Sequence, residues 1–453
     1  MNAVITQIQD DSQVRLDALA ALSQRLLERC RANGASQAEV SCSEERGLNV
    51  NVRMGEVETV ESTRDRGIGV TVYFGQRKGS ASTADLREES LESTVVQACA
   101  IARYTEDDPA SGLADAELMA REQRDFDTWH PWALEADQAI DLALVCEAAG
   151  RDADPRIGNS DGASVGSGES LSVYANSHGF IGRDRDTQHS IGCALIAGQG
   201  EAMQRDGWYS TALSADGLEP AAAIGRRAAE RAVARLAPRQ IPTGAYPVLF
   251  SAEIARSLVG HLLGAVSGGA LYRRASFLLD SVGTALFPAW LSIEEQPFLM
   301  RGFRSSSYDA EGVATRESAL VNDGVLQRYV LGSYSARKLG LQTTANAGGV
   351  HNLAVSANAG GFEEMLRGMG RGLLVTELMG QGVNNVTGDY SRGAAGFWVE
   401  DGAIAYPVDG ITIAGNLRAM FAGIEAVGSD VDPRSHIRTG SILVGRMTVA
   451  GTD

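Results

Sequence analysis

The sequence predicts an α+β protein of two domains, an N-terminal α/β layered domain followed by a strand-rich C-terminal domain. Three observations predict it. The chain has 453 residues, more than one ordinary core absorbs. Apolar residues recur at helical spacing in some stretches and alternate with polar ones in others. Pro238, Pro242 and Pro247 crowd one short segment, which reads as a boundary. The expected division is therefore residues 1–237, a Pro-rich linker at 238–247, and residues 248–453.

Taken in order, residues 12–33 read as an amphipathic helix with Leu16, Leu19, Leu22, Leu26, Leu27 and Cys30 on one face and Gly34 as its stop. Two alternating strands follow. Leu48, Val50, Val52 and Met54 share one side of the first, and Ile68, Val70, Val72 and Phe74 one side of the second. Gly47, Gly55, Gly67, Gly75 and Gly79 are expected to be turns. A helix is expected over 85–104, with Leu86, Leu91, Val95, Val96 and Ala100 inward. A long connection spans 105–137 and another helix 139–149. Four strands are expected within 156–213, with Asn176-Ser-His-Gly179 as a hairpin turn that exposes His178. Pro220 suits the first turn of a helix ending near Leu236.

The second half opens on an apolar strand, Tyr246-Pro-Val-Leu-Phe250, and then a helix. Ser251 is placed to cap it, Ile254, Leu258, Leu262 and Ala265 form its stripe, and Gly268-Gly269 close it. His261 lies on or beside that stripe. Its plain reading is a hydrogen-bonded core residue; the other is a ligand. Further on, a strand pair turns at Asn322-Asp-Gly324, and helices are expected at 333–339, 362–369 and 417–424. Strands are expected at 372–379, 396–400, 403–406 and 441–449.

With 44% hydrophobic and 21% charged residues, the composition is that of a folded globular protein. No apolar run approaches the ~20 residues of a membrane span. The start, Met1-Asn-Ala-Val-Ile, lacks the basic and apolar regions of a signal peptide, so a cytoplasmic location is expected. A net charge of −17 argues against nucleic-acid binding, which needs a basic surface to displace counterions. Five cysteines, Cys30, Cys42, Cys99, Cys146 and Cys193, contain no CxxC pair and read as reduced buried thiols.

Several long stretches resemble the TldD/PmbA family of bacterial peptide-processing proteases. They are Val259-Gly-His-Leu-Leu-Gly-Ala-Val-Ser-Gly-Gly269, Ser333-Tyr-Ser-Ala-Arg-Lys-Leu-Gly-Leu341, Glu377-Leu-Met-Gly-Gln-Gly-Val383 and Thr387-Gly-Asp-Tyr-Ser-Arg392 with its continuation to Glu400. The resemblance covers the chain and is strongest after residue 246. It implies a two-domain α+β cytoplasmic subunit that pairs with a TldD-type chain to cleave small unfolded peptides. Leader segments of peptide antibiotics and an antitoxin are among the implied substrates. An older family label, modulator of DNA gyrase, reflects an indirect link to a gyrase-directed antibiotic.

TldD-type members carry His-Glu-x-x-x-His where this chain has Arg256-Ser257-Leu258-Val259-Gly260-His261. A zinc hydrolase needs about three protein ligands and a base for the bound water. Only His261 is retained. Arg256 and Ser257 replace the first histidine and the glutamate, and Thr439 stands where those enzymes use a C-terminal cysteine. The resemblance therefore implies the PmbA (TldE) branch, with no metal in this chain and zinc in the partner subunit. Whether the chain is itself an enzyme stays open. Histidines five apart also imply a locally widened helix, which Gly260 would permit. Thr387, Gly388, Asp389, Tyr390, Ser391 and Arg392 are the candidate peptide-binding residues, either as an edge for strand addition or as a hairpin that only turns the sheet.

Other constellations weigh less. Gly162-Ala-Ser-Val-Gly166 matches a nucleophile elbow in letters, but its surroundings predict a loop. Gly368-Met-Gly-Arg-Gly372 reads as the junction between a helix and a strand. His261, His351 and His436 could converge on a metal. The alternatives are a homodimeric module that binds unfolded peptides, which the chain could form when isolated, and a hydrolase using His261 or a serine.

Overall fold

A computed structural model describes residues 10–451, so the reading of the extreme N-terminus as lacking a leader lies outside the described residues. The fold is α+β. It comprises two compact units, one of residues 10–198, 205–233 and 306–315, the other of 199–204, 234–305 and 316–451.

The first unit is built on a six-stranded sheet ordered β3-β2-β1-β4-β5-β6. Its elements are α1 (Ser12–Ala32), β1 (Gln37–Arg53), β2 (Glu56–Phe74), β3 (Arg77–Thr83), α2 (Glu88–Tyr104), α3 (Ala136–Arg151), β4 (Ile157–Asn176), β5 (Ile181–Ala197), β6 (Gln204–Ala212) and α4 (Ala221–Ala234). From β3 to β5 each pairing is antiparallel. Helices α1 and α2 cover one face. Leu16, Leu26, Val40, Cys42, Val70 and Val95 are among the residues buried between them and the sheet. All five cysteines are free and buried. Burial pushes the Cys30 thiol up to about 12, so it is a packing group and not a nucleophile.

Several expectations about this unit are corrected. Gly47, Gly67 and Gly79 lie inside strands, while Gly55 and Gly75 are the turns. Gly79 is there because β3 packs against α2, where a Cβ would come within 2.2 Å of the Ala98 carbonyl. The region 156–213 forms three long strands instead of four. Gly162-Ala-Ser-Val-Gly166 is inside β4, so it is neither the expected loop nor an elbow. Cross-strand hydrogen bonding carries these Gly/Ser runs, whose weak local propensity hid them. Met54 sits exposed at a hairpin tip, and Leu86 and Val96 face outward. The connection at 105–137 and the exposed turn at His178 are as expected. Residues 306–315 join this unit through Tyr308. Its ring meets Phe180 at 5.2 Å and lies where a Cβ on residue 182 would be, which explains Gly182.

The second unit contains β7 (Gly244–Phe250), α5 (Ala252–Val266), α6 (Gly268–Tyr272), β8 (Ile293–Glu295), β9 (Ser318–Asn322), β10 (Val325–Leu326), α7 (Ser333–Leu339), β11 (Leu353–Val355) and α8 (Phe362–Met369). It continues through β12 (Gly372–Met379), β13 (Asp389–Glu400), β14 (Ala403–Asn416), α9 (Leu417–Ala422), β15 (Ile424–Val427), β16 (Ile437–Arg438) and β17 (Ile442–Ala450). One sheet runs β14-β13-β12-β7-β17-β15, and β14 also pairs with β17, so five of its strands close on themselves. A second sheet runs β10-β9-β8-β11-β16. One large core, including Phe250, Leu262, Trp398 and Phe421, joins the strands to α5. The Asp323-Gly324 turn has both residues at positive φ, as a two-residue hairpin requires. Gly268-Gly269 do not close α5. They open α6, whose cap is Ser267, its hydroxyl accepting from the Ala270 amide.

Candidate functional site

The site is organised around α5, which follows β7 directly. Ser251 occupies the cap position, but its hydroxyl makes no capping bond and is buried without a partner. Its carbonyl accepts from the Ile254 and Ala255 amides instead. Ala255, Leu258, Val259, Leu262, Ala265 and Val266 are buried against the core, which leaves Glu253, Arg256, Ser257 and Gly260 on the other side. The helix is regular throughout 252–266, so the expected widening at Gly260 does not occur.

Arg256 stands in an ionic cluster. Arg434 donates from Nε to Asp432 at 2.9 Å and from Nη2 to Glu253 at 2.7 Å. Burial alone would raise the Asp432 carboxyl; the Arg434 hydrogen bonds and the charge of Arg256 outweigh it and hold the pKa below the ordinary value. His436 is pushed down by burial and by Arg304 and Arg256. Ser257 returns its hydroxyl to the Ile254 carbonyl at 2.6 Å. Thr439 is buried, with Oγ1 donating to the Gly440 carbonyl.

His261 meets Tyr390 of β13 edge to face, ring centroids 5.7 Å apart. Its Nε2 is buried without a hydrogen-bond partner, so the expected hydrogen-bonded core histidine is not what is found. Burial and then Arg392 depress its pKa and keep it neutral. Tyr390 is 1% exposed, and its hydroxyl is likewise unpartnered. Burial pushes that hydroxyl up to about 12. Thr387, Asp389 and Ser391 are exposed, Arg392 is half-buried and Gly388 is buried, a correction to its reading as a peptide contact. Their backbone is occupied: Ser391 N–H donates to the Gly382 carbonyl at 2.7 Å, and Asp389 C=O accepts from Asn384 N–H at 2.8 Å. Thr387 Oγ1 donates to Asp389 Oδ2.

The other histidines serve elsewhere. His351 Nδ1 lies 2.9 Å from Glu295 Oε1, and Arg328 pairs with the same carboxylate. His189 is hydrogen bonded to Ser167 and to the His130 carbonyl. His261, His351 and His436 thus each have separate surroundings. Among the described residues no group of three or more His, Cys, Asp or Glu is placed to hold a metal. A guanidinium, a back-bonded serine and a buried threonine do not fit a zinc ligand set. Sequence reasoning missed the Glu295–Arg328–His351–Asn346 network. Its members come from separate segments with no spacing to mark them.

The comparisons with known proteins agree along the whole chain. Residues 243–451 match the PmbA/TldA metallopeptidase C-terminal domain, 129–236 the central domain and 38–102 domain 1. The chain is 45% identical over 449 residues to metalloprotease PmbA of Escherichia coli O157:H7, covering 99% of this chain and 98% of that one. It is 46% identical over 419 residues to a metalloprotease PmbA homolog of Haemophilus influenzae, covering 92% and 93%. A crystal structure from Bacteroides thetaiotaomicron, described as a modulator of DNA gyrase, superposes with a TM-score of 0.91 at 26% identity, covering 96% of this chain and 99% of that one. The chain belongs to the PmbA/TldD metalloprotease family.

Proposed function

We propose that this chain is the non-zinc subunit of a heteromeric metalloprotease acting on small unfolded peptides, with the zinc and its base supplied by a TldD-type partner. The observation that carries the reading is Arg256. It occupies the first-ligand position of the family's metal helix and lies beside Asp432 and His436 in a cluster built on the Arg434 bridge. A cation held there opposes a second cation electrostatically. The exposed side chains of Thr387, Asp389 and Ser391, with half-buried Arg392, are the proposed peptide contacts on this subunit. The subunit's contribution is to hold the substrate extended, since a scissile amide must leave helical structure to be attacked.

The test is recovery of the tagged chain from its native host, identification of what co-purifies in equal amount, and zinc analysis. A partner of similar length bearing His-Glu-x-x-x-His, with about one zinc per pair, is the expected result. Zinc bound stoichiometrically to the chain alone overturns the proposal. Recovery alone and metal-free favours a self-sufficient peptide-binding dimer.

A further inference from the structure

We infer that the outer edge of β2 between Glu56 and Arg66 is a second peptide-contact surface, which takes up an extended lysine- or arginine-bearing segment as an added strand. The inference rests on the reading that the protein handles unfolded peptides, and it names the chemical class of segment.

The edge is open by construction. β1 pairs with β2 from Glu56 to Tyr73, but β3 covers only Ile68 to Phe74 on the other side. Among the described residues no strand or bridge occupies the outer side of 56–66. Residues 56–65 are exposed throughout. A strand bonded on one side leaves alternate N–H and C=O groups pointing away from its neighbour, a template for another strand. At ~3.4 Å per residue the free length is about 35 Å. The usual guards against edge pairing are charged side chains, lysine above all, prolines and bulges. The segment contains neither lysine nor proline; its charged residues are Glu56, Glu58, Glu61, Arg64, Asp65 and Arg66, and its one bulge, at Glu58, leaves 59–66 in unbroken register.

Charge selects the occupant. Opposed residues share a face, and the face away from α1 and α2 passes through Ser41–Asn51 of β1, Thr59–Gly69 of β2, Ser164–Ser172 of β4 and Asp184–Gly192 of β5. Every side chain on it there is Ser, Gly, Thr, Asn, Gln or an acid, and none is buried. The charged members are Glu45, Glu61, Asp65, Asp184 and Asp186. Glu45 stands opposite Asp65. The nearby cations Arg46, Arg64 and Arg66 lie on the opposite face, where Arg46 and Arg66 hold Glu44. A strand added at β2 therefore meets carboxylates on this face and no competing cation.

The test uses the full chain and two labelled unfolded 15-residue peptides, one alternating Lys with Thr and one alternating Glu with Thr, at low ionic strength. Hydrogen exchange is followed by mass spectrometry and binding by fluorescence anisotropy. The lysine peptide is expected to slow amide exchange within 56–66, to lose affinity as salt is added, and to bind about fivefold or more weakly to Glu61→Lys and Asp65→Lys, whose positions are exposed. Equal binding of both peptides overturns the charge selection. No binding, or protection confined to 387–392, overturns the edge assignment, and the latter leaves the unfolded-peptide reading standing. Protection of 56–66 that appears without peptide and grows with protein concentration assigns the edge to a second copy and also overturns the inference. Absence of a zinc-bearing partner in the recovery experiment is a separate failure and does not decide this one.

Discussion

His351 and His261 are histidines of the same unit with different surroundings. His351 belongs to a hydrogen-bonded network centred on Glu295. Glu295 Oε1 accepts from the His351 backbone at 2.7 Å and from Asn346 Nδ2 at 2.9 Å and lies 2.9 Å from His351 Nδ1, while Arg328 serves the second oxygen. Arg328 also donates to Asn346. Burial would raise the Glu295 carboxyl, but these partners bring it below the ordinary value. His261 and Tyr390 face one another with Nε2 and the hydroxyl unpaired. A buried polar group left unpaired costs about 1–3 kcal/mol. The first cluster therefore holds the fold together. The second is a place on α5 where stability is forgone.

The largest expected effect breaks the first side of this comparison. Glu295→Ala leaves Arg328 as a buried unpaired cation and is expected to cost about 3–5 kcal/mol in urea unfolding. Replacing both residues together, Glu295→Met with Arg328→Met, should recover much of that loss. A single-variant loss below about 1 kcal/mol would show that the network is not structural. Arg434→Ala is intermediate, because it strips charged hydrogen bonds from Asp432 and Glu253. Its expected cost is about 1.5–3 kcal/mol.

The pH dependence sharpens the contrast. His261 and His436 have depressed folded pKa values, so the unfolded chain takes up their protons first as pH falls below about 6.5. Stability is complete above that value and declines below it. Glu295 and Asp432 are depressed carboxylates, whose contribution is present above about 4 and lost as pH falls through their folded values. Melting temperature against pH should therefore fall in two stages. His261→Phe should reduce the upper stage, leaving the share of His436 and His189, and leave the lower one; an unchanged upper stage would assign it to those two. Smallest of all is Tyr390→Phe, which deletes an unpartnered hydroxyl. It should change stability by less than about 1 kcal/mol, towards stabilisation. A clear loss would mean that the hydroxyl is bonded in solution.

Legibility followed the range of the interactions involved. Helices α1, α3, α7 and α8 were readable because an apolar stripe and a glycine or capping residue lie within a few turns of one another. The long strands β4 and β5 were only half readable. Val173 and Leu195 alternate plainly, but the Gly162–Gly168 portion takes its extended form from pairing with β1 and β5. In the site, only the resemblance to the TldD/PmbA family singled out Arg256, Ser257 and Thr439, and their bonds to other groups were not legible.

By itself the sequence determined the acidic charge, the two-unit scale and the helical stripes. These are matters of composition and of spacing along a single segment. Tertiary structure alone decided that Arg434 bridges Glu253 and Asp432, that Tyr390 meets His261 with neither polar atom satisfied, and that Glu295 gathers Arg328, His351 and Asn346. It also decided that β3 stops short and leaves the β2 edge open. The physical reason is common to all four. Each depends on which distant backbone is brought alongside, and burial sets the energetic weight of a polar group only once that has happened.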